Sequence, residues 1–432
     1  TGRIPYVWIS NNFANTGIQM SKYNVYNPKG LNLIFDPNKQ LDNADKLKAS
    51  TGNQEINVFA DNFKFTQTLK FNLGFDFKAL GIDWTAEAIY SKTLNDIYYK
   101  NLAIEETGRT FGQETGYTWD NRPMFEQTTK GTPYAYVYGL YNTNKGYTVN
   151  LSLKAEKHFN FGLDLMASYT WTRSMSVNSG TSSVAGSNWM FNTTYRNPND
   201  PELGFSAYNV PHRIQASAYY HIGYGARKQW QTTVGVIYQG RSGSPYVIEM
   251  YGDMNNDGAR GNDIMFIPTD AQIDQMHFAP TTVNNSKNTY PLITKVLGTN
   301  YSGNLTEDQQ RALLKQWIAD DSYMSKHRGE YFKRYADNLA FEHHFDVHFA
   351  QKYSFKVGGQ INSLELSFDI INIGNLLNKD WGHTYGDGFG RYFSPFNYEG
   401  DGLFKFDGTH VNRDYDSYNS RWRGQIGLRY TF

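Results

Sequence analysis

The 432-residue chain contains no cysteine, no long apolar run and no excess of charge of either sign. Without cysteine it has neither a disulfide framework nor a thiolate for catalysis or zinc binding. Its 41 basic and 41 acidic side chains and its pI of about 7.1 argue against a nucleic-acid-binding protein, which normally shows a basic excess. A stretch of about 18 apolar residues is missing and the mean hydropathy is -0.62, so the sequence excludes a transmembrane helix.

Aromatic residues and glycine are abundant. Aromatics make up 16% of the chain, with 33 Tyr, 28 Phe and 9 Trp, and there are 39 glycines. Leucine-rich helical stretches are scarce. This composition favours an extended β protein, because aromatic side chains fit a pleated sheet well.

The last residues, R-W-R-G-Q-I-G-L-R-Y-T-F, alternate between two kinds of side chain. Ile426, Leu428, Tyr430 and the final Phe432 occupy every second position, and mostly polar residues occupy the positions between them. The same period of two predicts a half-buried strand each time it occurs. Together the alternating segments predict about nine strands, at 69–78, 83–99, 147–156, 163–171, 214–222, 230–238, 345–355, 364–370 and 421–432.

Short turns and long connections alternate between these strands. The turns have about three to five residues, as in β-hairpins. The long connections cover residues 100–142, 179–209, 241–340 and 375–418. Outer-membrane barrels have short periplasmic turns and long extracellular loops, and a tilted strand of about ten residues spans the hydrocarbon layer. The pattern therefore predicts an all-β fold, an antiparallel transmembrane β-barrel; the alternative is a soluble all-β protein with long loops.

One long connection contains a possible calcium loop. Asp253, Asn255, Asp257 and Gly258 form D-x-N-x-D-G, the opening of an EF-hand-type loop, in which oxygens at alternate positions converge on the ion. The twelfth position is Ile instead of Glu, so we expect Asp263, one residue earlier, to supply the closing carboxylate. The alternative is a turn that binds no ion.

Three further segments have both functional and structural interpretations. Glu342, His344, Asp346 and His348 resemble a metal cluster, but residues four apart on a strand are about 13 Å apart, which favours a polar barrel wall. The capping box that starts at Thr306 predicts a short helix, either packed in the loop or forming a groove. The aromatic segment 381–398 would contact a ligand, line a girdle or form a small core.

The sequence contains no nucleophile elbow, phosphate loop, HExxH motif or dinucleotide fingerprint. We therefore expect that the protein is not an enzyme, and that calcium is its one possible cofactor.

Several stretches resemble the TonB-dependent outer-membrane receptors of Bacteroidetes, most closely the Oar-like group with a carboxypeptidase-regulatory-like domain. They occur in order from about residue 60 to the end of the chain. They are D-N-F-K-F-T-Q-T-L-K-F-N-L-G-F-D at 61–76, Y-N-T-N-K-G-Y-T-V-N-L-S-L-K-A-E-K at 141–157, Y-N-V-P-H-R-I at 208–214, S-G-S-P-Y at 242–246, G-D-M-N-N-D-G-A-R-G-N-D-I-M-F-I-P at 252–268, R-G-E-Y-F-K-R-Y-A at 328–336 and I-G-N-L-L-N-K-D-W-G at 373–382.

The resemblance implies a barrel of about 22 strands around a plug domain. Because about nine strands cannot close such a barrel, we expect this chain to be its C-terminal part. Residues 1–60 would be an extracellular loop region and residues 61–432 the C-terminal barrel portion, with the plug and the first strands upstream. The C-terminus would be periplasmic and the long loops extracellular.

The resemblance also implies partners. The terminal Leu428, Tyr430 and Phe432 look like the signal that the barrel-insertion machinery reads. A TonB-type energy transducer would act through the upstream part, membrane lipid would surround the strands, and surface lipoproteins are a further possible partner. The leading hypothesis is uptake of an unidentified ligand through a plugged barrel. The alternatives are a scaffold for lipoproteins or an envelope assembly, a passive porin or adhesin, and, least favoured, a surface hydrolase.

Overall fold

The computed structural model describes residue 36 and residues 54–132, 134–180, 182–386, 392–411 and 416–432. Its strands, in chain order, are β1 (Gln54–Phe59), β2 (Gln67–Ala79), β3 (Ile82–Asn101), β4 (Ile104–Thr110), β5 (Pro123–Gln127), β6 (Tyr134–Thr143), β7 (Tyr147–His158), β8 (Leu163–Ser176), β9 (Gly204–Phe205), β10 (His212–Tyr224), β11 (Trp230–Arg241), β12 (Pro245–Tyr251), β13 (Phe266–Ile267), β14 (His277–Phe278), β15 (Thr281–Asn284), β16 (Ser302–Leu305), β17 (Glu330–Tyr331), β18 (Asp337–Asn338), β19 (Glu342–Val357), β20 (Gln360–Ile371), β21 (Tyr392–Gly400), β22 (Leu403–Lys405) and β23 (Arg423–Thr431).

The helices are short, apart from one. They are α1 (Phe111–Thr115), α2 (Ala185–Met190), α3 (Asp270–Ile273), α4 (Pro291–Leu297), α5 (Glu307–Asp320) and α6 (Ile373–Leu377), with a 3₁₀ turn at Met324–Lys326. None of the helices in the described part of the chain has the length and apolar character needed to cross a membrane.

The largest sheet has 12 strands and confirms the predicted antiparallel architecture. Its long strands pair in chain order as β2-β3-β7-β8-β10-β11-β19-β20-β23. Two of the hairpins turn through residue pairs with positive φ, Leu80–Gly81 and Gly358–Gly359. Positive φ at both central residues is typical of the type I′ turn, whose twist matches that of the flanking strands.

The two faces of this sheet differ in chemistry, as alternation predicts. On one face apolar side chains lie opposite each other, as in the pairs Val236–Val347 and Phe349–Phe368. On the other face, His348 Nδ1 lies 2.6 Å from Asp369 Oδ1 across β19 and β20. Because successive residues of a strand point to opposite faces, each strand contributes to both surfaces.

The sheet is not closed within the described residues. There β2 pairs with β3 alone, and β23 pairs with β20 alone. The strand β1 lies parallel to β6, at the end of the sheet where the long connections leave it. It occupies the last part of the predicted loop region 1–60, of which the structure describes residue 36 and residues 54–60.

The main hydrophobic core lies in the long connections, not in the sheet. We call residues 102–132, 177–211, 242–341, 372–386 and 392–411 the loop cap. Its buried core includes Tyr246, Ile248, Leu313, Trp317 and Phe396. A second sheet in the cap, with strand order β14-β22-β21-β12-β18, brings residues near 247 beside residues near 392. The connections therefore fold into one packed layer, which the alternation pattern did not predict.

The helix predicted after Thr306 is confirmed as α5. Thr306 accepts a hydrogen bond from the Gln309 N–H, and the Gln309 side chain accepts one from the Thr306 N–H, which completes the capping box. Leu313, Leu314 and Trp317 are buried in the cap core. These residues therefore pack α5 into the cap.

Candidate functional site

The candidate calcium loop lies in the cap between β12 and β13. Gly258 adopts a φ of 90°, a conformation open to glycine at little cost. The Asp253 carboxylate accepts hydrogen bonds from the N–H of Asp257 at 3.0 Å and of Gly258 at 2.9 Å. The Asn255 side chain also accepts the Asp257 N–H at 3.1 Å, a contact two residues along the chain that is typical of an Asx turn. The loop thus curls around the first carboxylate of the motif.

Asp257 is the most deeply enclosed carboxylate of the motif. It is 1% exposed and accepts hydrogen bonds from the Ala259 N–H and from Asn262 Nδ2, both at 2.7 Å. Burial raises the pKa of Asp257, and the nearby Asp263 and Asp253 raise it further. A buried carboxylate with acidic neighbours is costly to ionise unless a proton or a cation compensates for the charge.

Asp263, expected to close the calcium loop, contacts a guanidinium. Its Oδ1 lies 2.9 Å from Arg122 Nη1, and its Oδ2 accepts the Met254 N–H at 3.0 Å. Burial raises the pKa of Asp263 to about 6, although Arg122 and the Met254 N–H oppose that rise. Both of its oxygens are therefore engaged by the protein.

Arg122 links this loop to the connection before β5. Its Nε donates to Asp120 at 3.0 Å and its Nη2 to the Ile264 carbonyl at 3.0 Å. Tyr331 donates its hydroxyl to the same Asp120 at 2.6 Å. Burial alone would lower the pKa of Arg122, but the carboxylates of Asp120 and Asp263 raise it. Sequence reasoning missed Arg122, because nothing in its surrounding stretch marks it as the partner of a distant aspartate.

Calcium binding by this loop stays a prediction. Among residues 54–132, 134–180, 182–386, 392–411 and 416–432, no three His, Asp or Glu side chains are grouped so that they could hold a metal ion. The oxygens at Asp253, Asn255 and Asp257 are of the kind that calcium prefers. Carbonyl groups or water would complete the set of ligands.

The acidic and histidine residues at the start of β19 do not converge on one point, although His344 Nε2 lies 3.9 Å from Glu342 Oε2. Glu342 is buried and accepts a hydrogen bond from Arg241 Nε at 2.7 Å. His344 lies 3.1 Å from the Thr384 hydroxyl, whereas His348 contacts Asp369. This arrangement agrees with the interpretation of the segment as a polar wall.

The aromatic segment 381–398 divides between the core and the surface. Phe396 is buried and Tyr398 packs against the same core. Trp381 is 57% exposed. Residues 387–391 lie outside the described part of the chain, so ligand contact by this segment stays a prediction.

The model of a family described as an outer membrane beta barrel domain matches residues 4–378. The chain belongs to this family. No curated protein matches the chain. Among solved structures, it resembles the outer membrane transporter YddB from Escherichia coli, with a TM-score of 0.34 and 12% identity over 77% of this chain and 31% of that one.

As an outer-membrane β-barrel protein, the chain is expected to turn its apolar strand face to lipid. Leu428 is 72% exposed on that face, and Phe432 is 86% exposed at the end of the chain. Tyr430 lies between them and donates its hydroxyl to Asn362 at 2.7 Å. The recognition of these three residues by the insertion machinery stays a prediction.

Proposed function

We propose that this protein is the C-terminal barrel portion of a TonB-dependent transporter that takes up a ligand through a plugged barrel. The observation that carries the proposal is the open antiparallel sheet, in which β2 and β23 each have one pairing partner in the described residues. A barrel in lipid needs every strand edge paired, because unpaired backbone groups are costly there. Additional strands from an upstream part of the chain would close the sheet.

The polar face of the strands supports the proposal that the barrel interior holds a plug domain or a solute. On this face His348 contacts Asp369, and Asn72 Nδ2 donates to Glu87 at 2.9 Å. Polar side chains facing a barrel interior interact with water or with a plug domain. The loop cap would bind the ligand on the outer side of the membrane. Calcium would make the Asp253 loop more rigid. This proposal includes no catalytic step.

Intact mass with N-terminal sequencing tests the incomplete-barrel part of the proposal. The protein is purified from its outer membrane and denatured. A polypeptide about twice the 49.6 kDa of this chain, or a 49.6-kDa species with a companion fragment, supports upstream strands. A lone species of 49.6 kDa would contradict it.

Uptake from a defined medium tests the energised transport. Depletion of small solutes is compared between wild-type cells, cells that lack this protein and cells that lack the inner-membrane energy transducer. We expect the same solute to stay in the medium in both deletion strains. A solute that depends on this protein but not on the transducer would indicate a passive porin and contradict the proposal.

A scaffold for surface lipoproteins is the second candidate. The specific observation is that three aromatic side chains of the cap, Tyr208, Tyr251 and Trp381, are each more than half exposed. Aromatic residues are enriched at protein interfaces. A stoichiometric partner that co-purifies in detergent from ligand-free medium, together with unchanged uptake in the deletion strain, would favour the scaffold.

A further inference from the structure

Arg334 is a second buried arginine of the loop cap, and its surroundings differ from those of Arg122. It lies between β17 and β18 and is 3% exposed. Its Nη1 donates to the Val177 carbonyl and to Asn192 Oδ1. Its Nε and Nη2 are buried and meet no hydrogen-bond acceptor. A guanidinium carries five N–H donors, so about three of them are left over.

No carboxylate of the described residues forms an ion pair with Arg334. Arg122, equally enclosed, has both Asp120 and Asp263 as partners. Burial lowers the pKa of Arg334, although the more distant charge of Glu202 and the Tyr335 hydroxyl oppose this effect, whereas the carboxylates in contact with Arg122 raise its pKa. A buried charge without a counter-charge in direct contact is unfavourable, so an anion bound to the guanidinium would stabilise the fold.

Two hydroxyl groups next in sequence to the residues that accept from Arg334 are also buried without a hydrogen-bond partner: Ser176 Oγ precedes Val177, and Thr193 Oγ1 follows Asn192. Ser176 pairs with Gly204 across β8 and β9, and a Cβ added to Gly204 would lie 2.8 Å from Arg334 Nε. Thr193 follows Asn192, which contacts the guanidinium directly. The buried groups without a hydrogen-bond partner are therefore all possible donors: guanidinium N–H groups and hydroxyls that can orient their hydrogens towards an acceptor.

We propose that Arg334, with Ser176 and Thr193, binds a small inorganic anion of the size of chloride that joins two connections of the loop cap. The anion accepts hydrogen bonds from the free guanidinium N–H groups and neutralises their charge. A water molecule would accept the hydrogen bonds but would leave the charge uncompensated. The burial of these polar atoms restricts the ligand to a small ion. This site is independent of the transport proposal.

Bromide in place of chloride tests the site in the wild-type protein. Crystals of the full-length protein grown in bromide should show an anomalous peak within hydrogen-bond distance of Arg334 Nε and Nη2. An ordered water without anomalous signal at this position would overturn the proposal.

Chloride dependence of the cap tests the site in solution. Protease cleavage of the cap is followed at constant ionic strength while chloride replaces gluconate. The open fraction of the cap should fall roughly tenfold when chloride reaches ten times its dissociation constant. Arg334→Met should remove this dependence, and the control Arg328→Met, at a partly exposed arginine paired with Asp270, should keep it. Equal cleavage in chloride and gluconate, or full chloride dependence in Arg334→Met, would refute the anion site.

Discussion

Replacement of Arg122 by Met should open the loop cap without disturbing the barrel strands. Arg122 is 1% exposed, and its Nε and Nη1 contact the carboxylates of Asp120 and Asp263. The variant removes the one positive charge between two buried negative charges. Removal of one member of a buried ion pair costs about 3–5 kcal/mol, because the remaining charge stays buried.

We expect this loss of stability to increase the local opening of the loop cap. Since every 1.4 kcal/mol is a factor of ten, the open population of the cap should rise at least about a hundredfold. Native-state hydrogen exchange measures it at the amides of α5 and β12, with β20 as the internal reference. Exchange in β20 should not change, because its hydrogen bonds lie within the sheet.

A neutral version of the same cluster separates charge from packing. Asp120→Asn, Arg122→Met and Asp263→Asn together leave no unpaired charge, so this triple variant should exchange far more slowly than Arg122→Met alone. Arg328→Met serves as a surface control and should change exchange by less than about tenfold. A rise of less than tenfold in Arg122→Met, or a triple variant as open as the single one, would refute the reasoning.

Four further predictions concern the cap and the terminal strand. Thr306→Ala should destabilise α5 by about 1 kcal/mol because it removes the cap oxygen, while Thr306→Ser retains it; hydrogen exchange measures both. Phe432→Ala should lower the amount of heat-modifiable barrel in the outer membrane, and Phe432→Tyr should not; equal amounts of both would exclude a terminal insertion signal. Calcium should raise the melting temperature of the wild-type protein but not of Asp257→Asn, and an equal response in both would remove calcium from this loop. Without calcium, the pKa of Asp263 is about 6 in the native state and 3.8 in the unfolded state, so the native state binds the extra proton between these two pH values. Stability should therefore fall as the pH rises from 3.8 to about 6. A melting temperature that rises with pH between these values would contradict that sign.

The sheet was predictable from the sequence because each strand has two different environments. The alternation in β10, β11, β19 and β20 shows both the strand and its lipid-facing side. Hairpin positions were predictable as well, because short turns such as Leu80–Gly81 separate two alternating segments. The capping box at Thr306 likewise marked the start of α5.

The cap was not predictable by the same reasoning. The strand β12 is buried on both sides, from Pro245 to Met250, so it has no period of two. It pairs in parallel with β21, far along the chain, and such long-range pairing has no local signal. The same holds for the contact of Arg122 with Asp263, which are 141 residues apart. The sequence marked the residues of the Asp253 loop but did not show that Asp263 contacts a guanidinium.

Cysteine accessibility in intact cells tests the central claim, an outer-membrane barrel with its loop cap outside. The chain contains no cysteine, so single cysteines can be placed at chosen sites. Asp308 has a side chain that is 90% exposed on α5, and Arg227 lies in the short turn between β10 and β11. A membrane-impermeant maleimide should label Asp308→Cys in intact cells and label Arg227→Cys after the outer membrane is permeabilised. Labelling of Arg227→Cys in intact cells, with Asp308→Cys protected, would contradict the account.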